Sequence, residues 1–286
     1  ENQKHLKKLT IFQAPVKGKF SDKINMIRKD MDKIRKKYPG YQPILVNVLP
    51  TSEHEIVGKT YEQIFSNEQK LVDVVYVMAA IEEGIPILNF TPNKIEVEPI
   101  ISEATKRGLP MAGRDGKTGQ TYIKMVLASA LRARNLYIYG WYSTNILGNS
   151  DGRTLMDEKK ARNKLENKTK ILSDILGYNP QAHLVKIDYY SPRKDAKEAW
   201  DVIDLIGMFG EKISIRINLQ GKDSVLATPI ILDVARILAV SKEVGISGVL
   251  HDLAFFFKTS IYKKPPYNYE DQVFALRSFL KKISGR

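Results

Sequence analysis

Met111-Ala-Gly-Arg-Asp-Gly-Lys-Thr-Gly-Gln-Thr121 decides how the rest of the chain is read. The apolar run Leu109–Ala112 leads into three glycines, Gly113, Gly116 and Gly119, and an apolar, helix-patterned segment follows from Tyr122 to Leu131. Strand, glycine loop and helix together aim free backbone N–H groups at an anion. The loop is therefore expected to be the floor of a phosphate-handling site. A Walker A loop is the tempting alternative. That motif needs four residues between its first glycine and Gly-Lys-Thr, and only two separate Gly113 from Gly116-Lys-Thr118. A plain glycine turn between strand and helix is the other reading open at this point.

Upstream of the loop the pattern alternates. Asp22 is placed to cap a helix running through Ile24, Met26, Ile27, Met31 and Ile34, and Pro39-Gly40 ends it. Pro43–Val48 reads as a buried parallel strand. It exits through Pro50-Thr-Ser52, the kind of polar strand end where open α/β sheets bind ligands. Tyr61–Glu83 reads as largely helical, Gly84–Asn89 as a strand exiting through Phe90-Thr-Pro-Asn93, and Val97–Arg107 as a helix closed by Gly108. Strand, helix, strand, helix, strand is a doubly wound pattern.

Downstream the rhythm changes. Leu136–Leu147 is a long strand, Lys159–Lys170 a lysine-rich segment and His183–Tyr190 a strand, while Trp200–Met208 and Lys212–Leu219 flank Phe209-Gly-Glu211 as a hairpin. These strands look antiparallel and suggest a separate α+β layer. Ser224–Val244 is a long apolar helix, Leu250–Lys258 a shorter one, and Asp271–Ile283 the last.

The chain has 286 residues and a formal charge of +13, with the lysines spread along its length rather than gathered in one patch. No zinc-finger, basic-zipper or RNA-recognition pattern is present, so the excess charge reads as solvated helix faces rather than a nucleic-acid footprint. No window approaches 18 consecutive apolar residues, so no membrane span is expected. No signal-peptide pattern is seen, and cysteine is absent. A cytoplasmic protein is expected. Residue 1 is Glu in a polar run, which reads as a chain that continues upstream.

Several polar groups could carry chemistry. Lys164 and Lys168 stand four apart, on one face if that segment is helical. They are either a wet face or a paired ammonium clamp for an oxyanion. Lys258 ends the apolar run Leu253–Phe257, and so either snorkels or is held in a site where burial lowers its pKa. Asp223-Ser224 suits a helix N-cap. The four histidines show no metal-ligand spacing.

Taken together, these segments resemble the inositol-3-phosphate synthase (myo-inositol-1-phosphate synthase) family. Gly113–Thr121 is similar to the family's Gly-Asp-Asp-x-Lys-Ser-Gly-Gln-Thr, and Leu147-Gly-Asn-Ser-Asp-Gly152 to its Leu-Gly-Asn-Asn-Asp-Gly. Asp195-Ala-Lys197 resembles Asp-Ser-Lys, Asp223–Pro229 resembles Asp-Ser-Leu-Leu-Ala-Thr-Pro, and Phe257-Lys258 matches a lysine late in the family. Ala79–Asn89 also fits, and the likeness runs from about residue 25 to the end.

The resemblance implies a Rossmann-type α/β fold. Residues 1–121 would be the remaining part of the NAD-binding domain, 122–224 an inserted α+β catalytic and tetramerisation domain, and 225–286 the return to the first domain. It implies NAD-dependent cyclisation of glucose 6-phosphate to 1L-myo-inositol 1-phosphate by a homotetramer, with a mono- or divalent cation possible. By resemblance Lys164, Lys168, Lys197 and Lys258 are catalytic, and Thr118, Gly119 and Gln120 hold the substrate phosphate. Thr51, Ser52, Thr91, Asp115, Asn149, Ser150, Asp151, Asp195, Asp223 and Ser224 line the cofactor. Three departures stand out: no G-x-G-x-x-G loop is present, Arg114 replaces the family's first Asp, and Pro50-Thr-Ser52 replaces a typical Ala-Asn-Thr. They leave open a relative acting on another phosphorylated sugar, or a non-catalytic one without the dinucleotide loop.

Overall fold

A computed structural model describes residues 18–149, 152, 171–259, 261 and 266–285. Two four-stranded sheets organise them. The first is built from β1 (Leu45–Asn47), β2 (Ile87–Asn89), β3 (Pro110–Gly113) and β8 (Gly248–Val249), all parallel and in that order. Its strands are short and apolar because helices cover both faces. On one side, α1 (Phe20–Lys37), α2 (Tyr61–Ser66), α3 (Asp73–Glu82) and α4 (Glu98–Lys106) pack Ile24, Ile64, Met78 and Ile100 against Ile87 and Met111. On the other, α6 (Asp223–Glu243) and α7 (Tyr269–Ile283) bring Val234, Leu238 and Phe279 onto Leu88 and Ala112. α6 is long and apolar enough by length and composition to cross a membrane, and here one of its faces packs on this sheet.

The second sheet has the order β5 (Ala182–Tyr189), β4 (Tyr137–Leu147), β6 (Lys197–Ile206), β7 (Lys212–Gly221). One face is covered by α5 (Gly119–Ala133) and a helical segment at 171–176, with Met125, Leu172 and Ile175 against Trp141, Ile203 and Leu205. α5 begins on the glycine loop, so that loop joins the two sheets.

Several expectations need correction. Asp22 is not the N-cap: it lies within the first turn of α1, where its carboxylate accepts the Lys19 N–H at 3.0 Å. Tyr61–Glu83 is two helices. Between them Gln69 turns back to bond Val57 through both its amide atoms, and also the carbonyl of Ile64. The second sheet is mixed, because β4 pairs with β5 in parallel. Alternating burial marks a strand but not its direction, and the long connection between β4 and β5 has room for a crossover. Leu250–Lys258 is not an α-helix. The two-residue strand β8, too short to leave a pattern, is followed by a 3₁₀ turn, His251–Phe256. The lysine-rich stretch with Lys164 and Lys168, and Ser150 and Asp151, lie outside the described residues.

Candidate active site

The glycine loop is not an open cradle. Its amides are consumed by neighbouring segments: Arg114 N–H donates to Thr259 O, Asp115 to Thr91 O, Gly116 to Phe90 O and Lys117 to Phe256 O, at 2.7–3.2 Å. The loop is thus laid down as an extra rung between the β2 exit and the 3₁₀ turn, with Gly116 bridging Phe257. Only glycine fits there, since a Cβ at Gly116 would stand 1.9 Å from the Phe90 ring. The free donors begin one step later. Thr118 is the N-cap of α5, and Gly119, Gln120 and Thr121 form its first turn, whose N–H groups have no intrahelical acceptor. The anion seat is therefore Thr118–Thr121 rather than the whole loop. Gly119 is the close-approach position, because a Cβ there would meet Leu219 of β7 at 3.0 Å and Leu226 of α6 at 3.2 Å.

Around this helix end the two halves of the fold converge. Lys197, the first residue of β6, points its Nζ to Asp223 Oδ2 at 3.0 Å, and Thr118 Oγ1 donates to Asp223 Oδ1 at 3.3 Å. Lys222, not Asp223, stands at the N-cap of α6, and Asp223 is the first residue inside the helix. The sequence reading of a cap gives way to a bridge that ties the phosphate end of α5 to Lys197. On the first-sheet side, Lys258 Nζ donates to Asp115 Oδ1 at 2.9 Å, and Lys258 N–H donates to Asp115 O at 2.8 Å. Asp115 adopts a left-handed backbone, φ 59°, which aspartate tolerates better than most residues. Lys197 and Lys258 are thus both held by carboxylates, neither being a snorkelling surface amine.

The cofactor candidates divide. The Thr91 hydroxyl donates to Asn89 Oδ1 at 2.8 Å and accepts the Asn93 N–H at 3.1 Å, so it is used within the turn. Ser52 N–H is held by Asn93 Oδ1 at 2.8 Å. Asn93 and Asn47 both donate to the buried Asp73, which ties the exits of β1 and β2 together. Thr51 and Asp195 are exposed, and Asn149 accepts the Gly152 N–H. Ser224 follows Asp223 on an exposed part of α6. Arg114 reaches Glu96 at 3.5 Å. Glu96 is buried and accepts Asn89 Nδ2 at 2.8 Å, and burial pushes its carboxyl above the usual range.

Three groups escaped the sequence reading. Lys117, beneath the loop, donates to Gln272 Oε1 at 2.8 Å, and burial lowers it to about 7. Lys124 in α5 is lowered by burial to about 8. Both sit in apolar helical or loop surroundings where a lysine would be read as solvated, and only packing reveals them. Asn145 is buried on β4, and neither atom of its amide has a partner among the described residues. It shares the sheet face of Ser143 by strand alternation, two residues from the Leu147–Lys197 pair. An orphaned amide at such a place suits a polar ligand atom such as a carboxamide or a sugar hydroxyl. That donor set fits the nicotinamide end of NAD or the sugar, while residues 1–286 contain no G-x-G-x-x-G for the pyrophosphate. No cluster of three or more metal-ligating side chains occurs among the described residues.

Comparison with known proteins identifies what the chain resembles. Residues 119–224 match the family model described as myo-inositol-1-phosphate synthase. The inositol-3-phosphate synthase 1 of Bacteroides thetaiotaomicron is 35% identical over 232 residues, which are 78% of this chain and 53% of that protein. The Saccharomyces cerevisiae inositol-3-phosphate synthase is 31% identical over 205 residues, covering 68% of this chain and 36% of that protein. The crystal structure of inositol-3-phosphate synthase from Caenorhabditis elegans superposes with a TM-score of 0.78 at 21% identity, covering 94% of this chain and 58% of that one. A myo-inositol-1-phosphate synthase-related protein from Thermotoga maritima gives 0.75 at 22% identity, covering 94% and 71%. The likeness of this chain to inositol-3-phosphate synthases is thereby shown. The α/β fold with a parallel sheet is theirs, and the chain spans about half the length of the curated relatives it matches.

Proposed function

We propose that this chain belongs to an enzyme that cyclises glucose 6-phosphate to 1L-myo-inositol 1-phosphate. In this reading the first sheet is the second half of a Rossmann-type NAD-binding domain. Residues 122–224 are a catalytic and tetramerisation insertion, and 225–286 return to the first domain. The observation that carries the proposal is the convergence on the N-terminus of α5. Lys197 of β6, Asp223 of α6 and Thr118 of the loop meet there in one hydrogen-bonded set, beside a first turn whose N–H groups are free for an anion.

The reaction asks for a fixed phosphate, donors at the C5 and C1 oxygens, and a group that takes the C6 proton. NAD, when bound, supplies hydride exchange with C5; in this reading Asp115, Asn145, Asn149 and Asp223 would hold its nicotinamide end. Gly119, Gln120 and Thr118 seat the phosphate. That leaves the sugar to lie toward Lys197 and Lys258, which are held by Asp223 and Asp115 and keep donors for oxygens that gain charge as the C6–C1 bond forms. With C5 a ketone, C6 gives its proton to Lys197 or Lys258 acting as general base, the enolate carbon attacks the C1 aldehyde, the C1 oxygen takes that proton back from the lysine, and the C5 ketone is reduced again, so no net redox change remains. The proposal is tested with the full-length protein, NAD and glucose 6-phosphate, following inositol phosphate by NMR. Lys197→Ala or Lys258→Ala should remove most turnover with fold retained. A second substrate is favoured by one observation. Arg114 and Glu96 place a charged pair where the family has an aspartate, and a different phosphorylated sugar would meet a different field there. A sugar-phosphate panel separates the two readings.

A further inference from the structure

Asp201, in the middle of β6, is 3% exposed, and its carboxylate needs partners to persist there. It has three. Oδ2 accepts Gln120 Nε2 at 3.0 Å, and Oδ1 accepts Trp141 Nε1 at 2.7 Å and Ser143 Oγ at 2.5 Å. The balancing cation is Lys124, four residues after Gln120 and so on the same face of α5. Its Nζ donates to Ser143 Oγ at 3.1 Å and lies 3.3 Å from His183 Nε2 of β5. A relay results: Lys124 to Ser143 to Asp201, with Gln120 closing it from the other side. Helix-to-sheet packing does not call for this set, because Met125 and Ala128 already meet Ile203 and Leu205 as an apolar contact. Burying a carboxylate and an ammonium there is no gain in stability over apolar packing. The set fixes the orientation of one residue that matters outside it. Gln120 is the second residue of α5.

We infer that Asp201 is a positioning residue for the anion seat. It grips the Gln120 side chain so that the first-turn N–H groups of α5 stay aimed at a phosphate group of the substrate. This rests on the reading of Thr118–Gln120 as the phosphate seat. The test is a double-mutant cycle on the full-length protein, read by inorganic phosphate binding in calorimetry. Asp201→Ala removes both carboxylate oxygens, so the Gln120 amide finds no partner there in either orientation. Gln120→Ala removes the other end of the bond while leaving Trp141 and Ser143 on the carboxylate. Each variant should bind phosphate about tenfold more weakly, and the double variant no more weakly than the worse single one. Variants that lose stability yet bind phosphate within about twofold of the unaltered protein would overturn the inference alone, as would losses that multiply in the double variant. An unaltered protein that binds no phosphate would overturn the phosphate reading and this inference with it.

Discussion

Gly116→Ala isolates the packing that lays the glycine loop against its neighbours. The added Cβ would stand 1.9 Å from Phe90 Cζ and 2.2 and 2.3 Å from the two Cε atoms. Carbon contacts are comfortable at about 3.5–4.0 Å, so the ring must retreat by roughly 1.5 Å. Its retreat is resisted from behind, because Phe90 packs on the cluster of Leu88, Ala112 and Phe257, with the Phe257 ring centroid 6.4 Å away at 65°. Overpacking of this kind costs about 1–3 kcal/mol, and the crowding here places Gly116→Ala at the upper end. The loop amides that Phe90 O and Phe256 O accept would be displaced with it. Urea unfolding of the single variants and of the pair Phe90→Ala/Gly116→Ala provides the assay. Phe90→Ala alone should cost about 3 kcal/mol, and the pair should cost about the same, because the methyl enters the space the ring has left. A Gly116→Ala variant within about 0.5 kcal/mol of the unaltered protein, or additive losses in the pair, would refute the packing argument.

Asp223→Asn should separate stability from turnover. The Asp223 side chain is 46% exposed, so loss of its ion pair should change stability by under about 1 kcal/mol. Misplacing Lys197 should lower kcat about 100-fold, as measured by steady-state kinetics beside a melting curve. Stability should also depend on pH in two windows. Lys124 releases its proton at about 8 in the fold, against an ordinary value of 10.5. The unfolded chain therefore binds more protons between those values, and this contribution is full above 10.5 and lost as pH falls through the window. Over that range it amounts to about 3 kcal/mol, and Lys124→Met should flatten the rise of the urea midpoint between pH 8 and 9.5. His183, lowered to about 4 from 6.5, chiefly by burial and then by Lys124, contributes in the same sense. Its share is full above 6.5 and lost toward pH 4. It is discounted to about 1–2 kcal/mol for partial exposure, and His183→Gln should remove it.

What the sequence disclosed was periodicity and local chemistry. The parallel strands before the loop announced themselves through branched apolar runs with polar exits. The hairpin of β6 and β7 was legible from its alternation around Phe209-Gly-Glu211. The strand Gly248–Val249 was not, since two residues carry no period. The loop amides were misread for a physical reason. Glycine content says that a backbone can approach another group closely, but not whether that group is a ligand or the neighbouring chain, and here Thr91, Phe90, Phe256 and Thr259 take the amides. Asp223 falls one residue past the N-cap, Lys222, and its carboxylate meets Lys197, supplied by a strand 26 residues earlier. Lys117, Lys124 and Asn145 gave no signal because their burial comes from elements distant in sequence.

The most direct test of the account is product formation. The full-length protein, given NAD and glucose 6-phosphate, should yield 1L-myo-inositol 1-phosphate with no net accumulation of reduced cofactor, and Lys197→Ala should stop it. Binding of NAD and glucose 6-phosphate with no inositol phosphate formed by the unaltered protein would contradict the central claim.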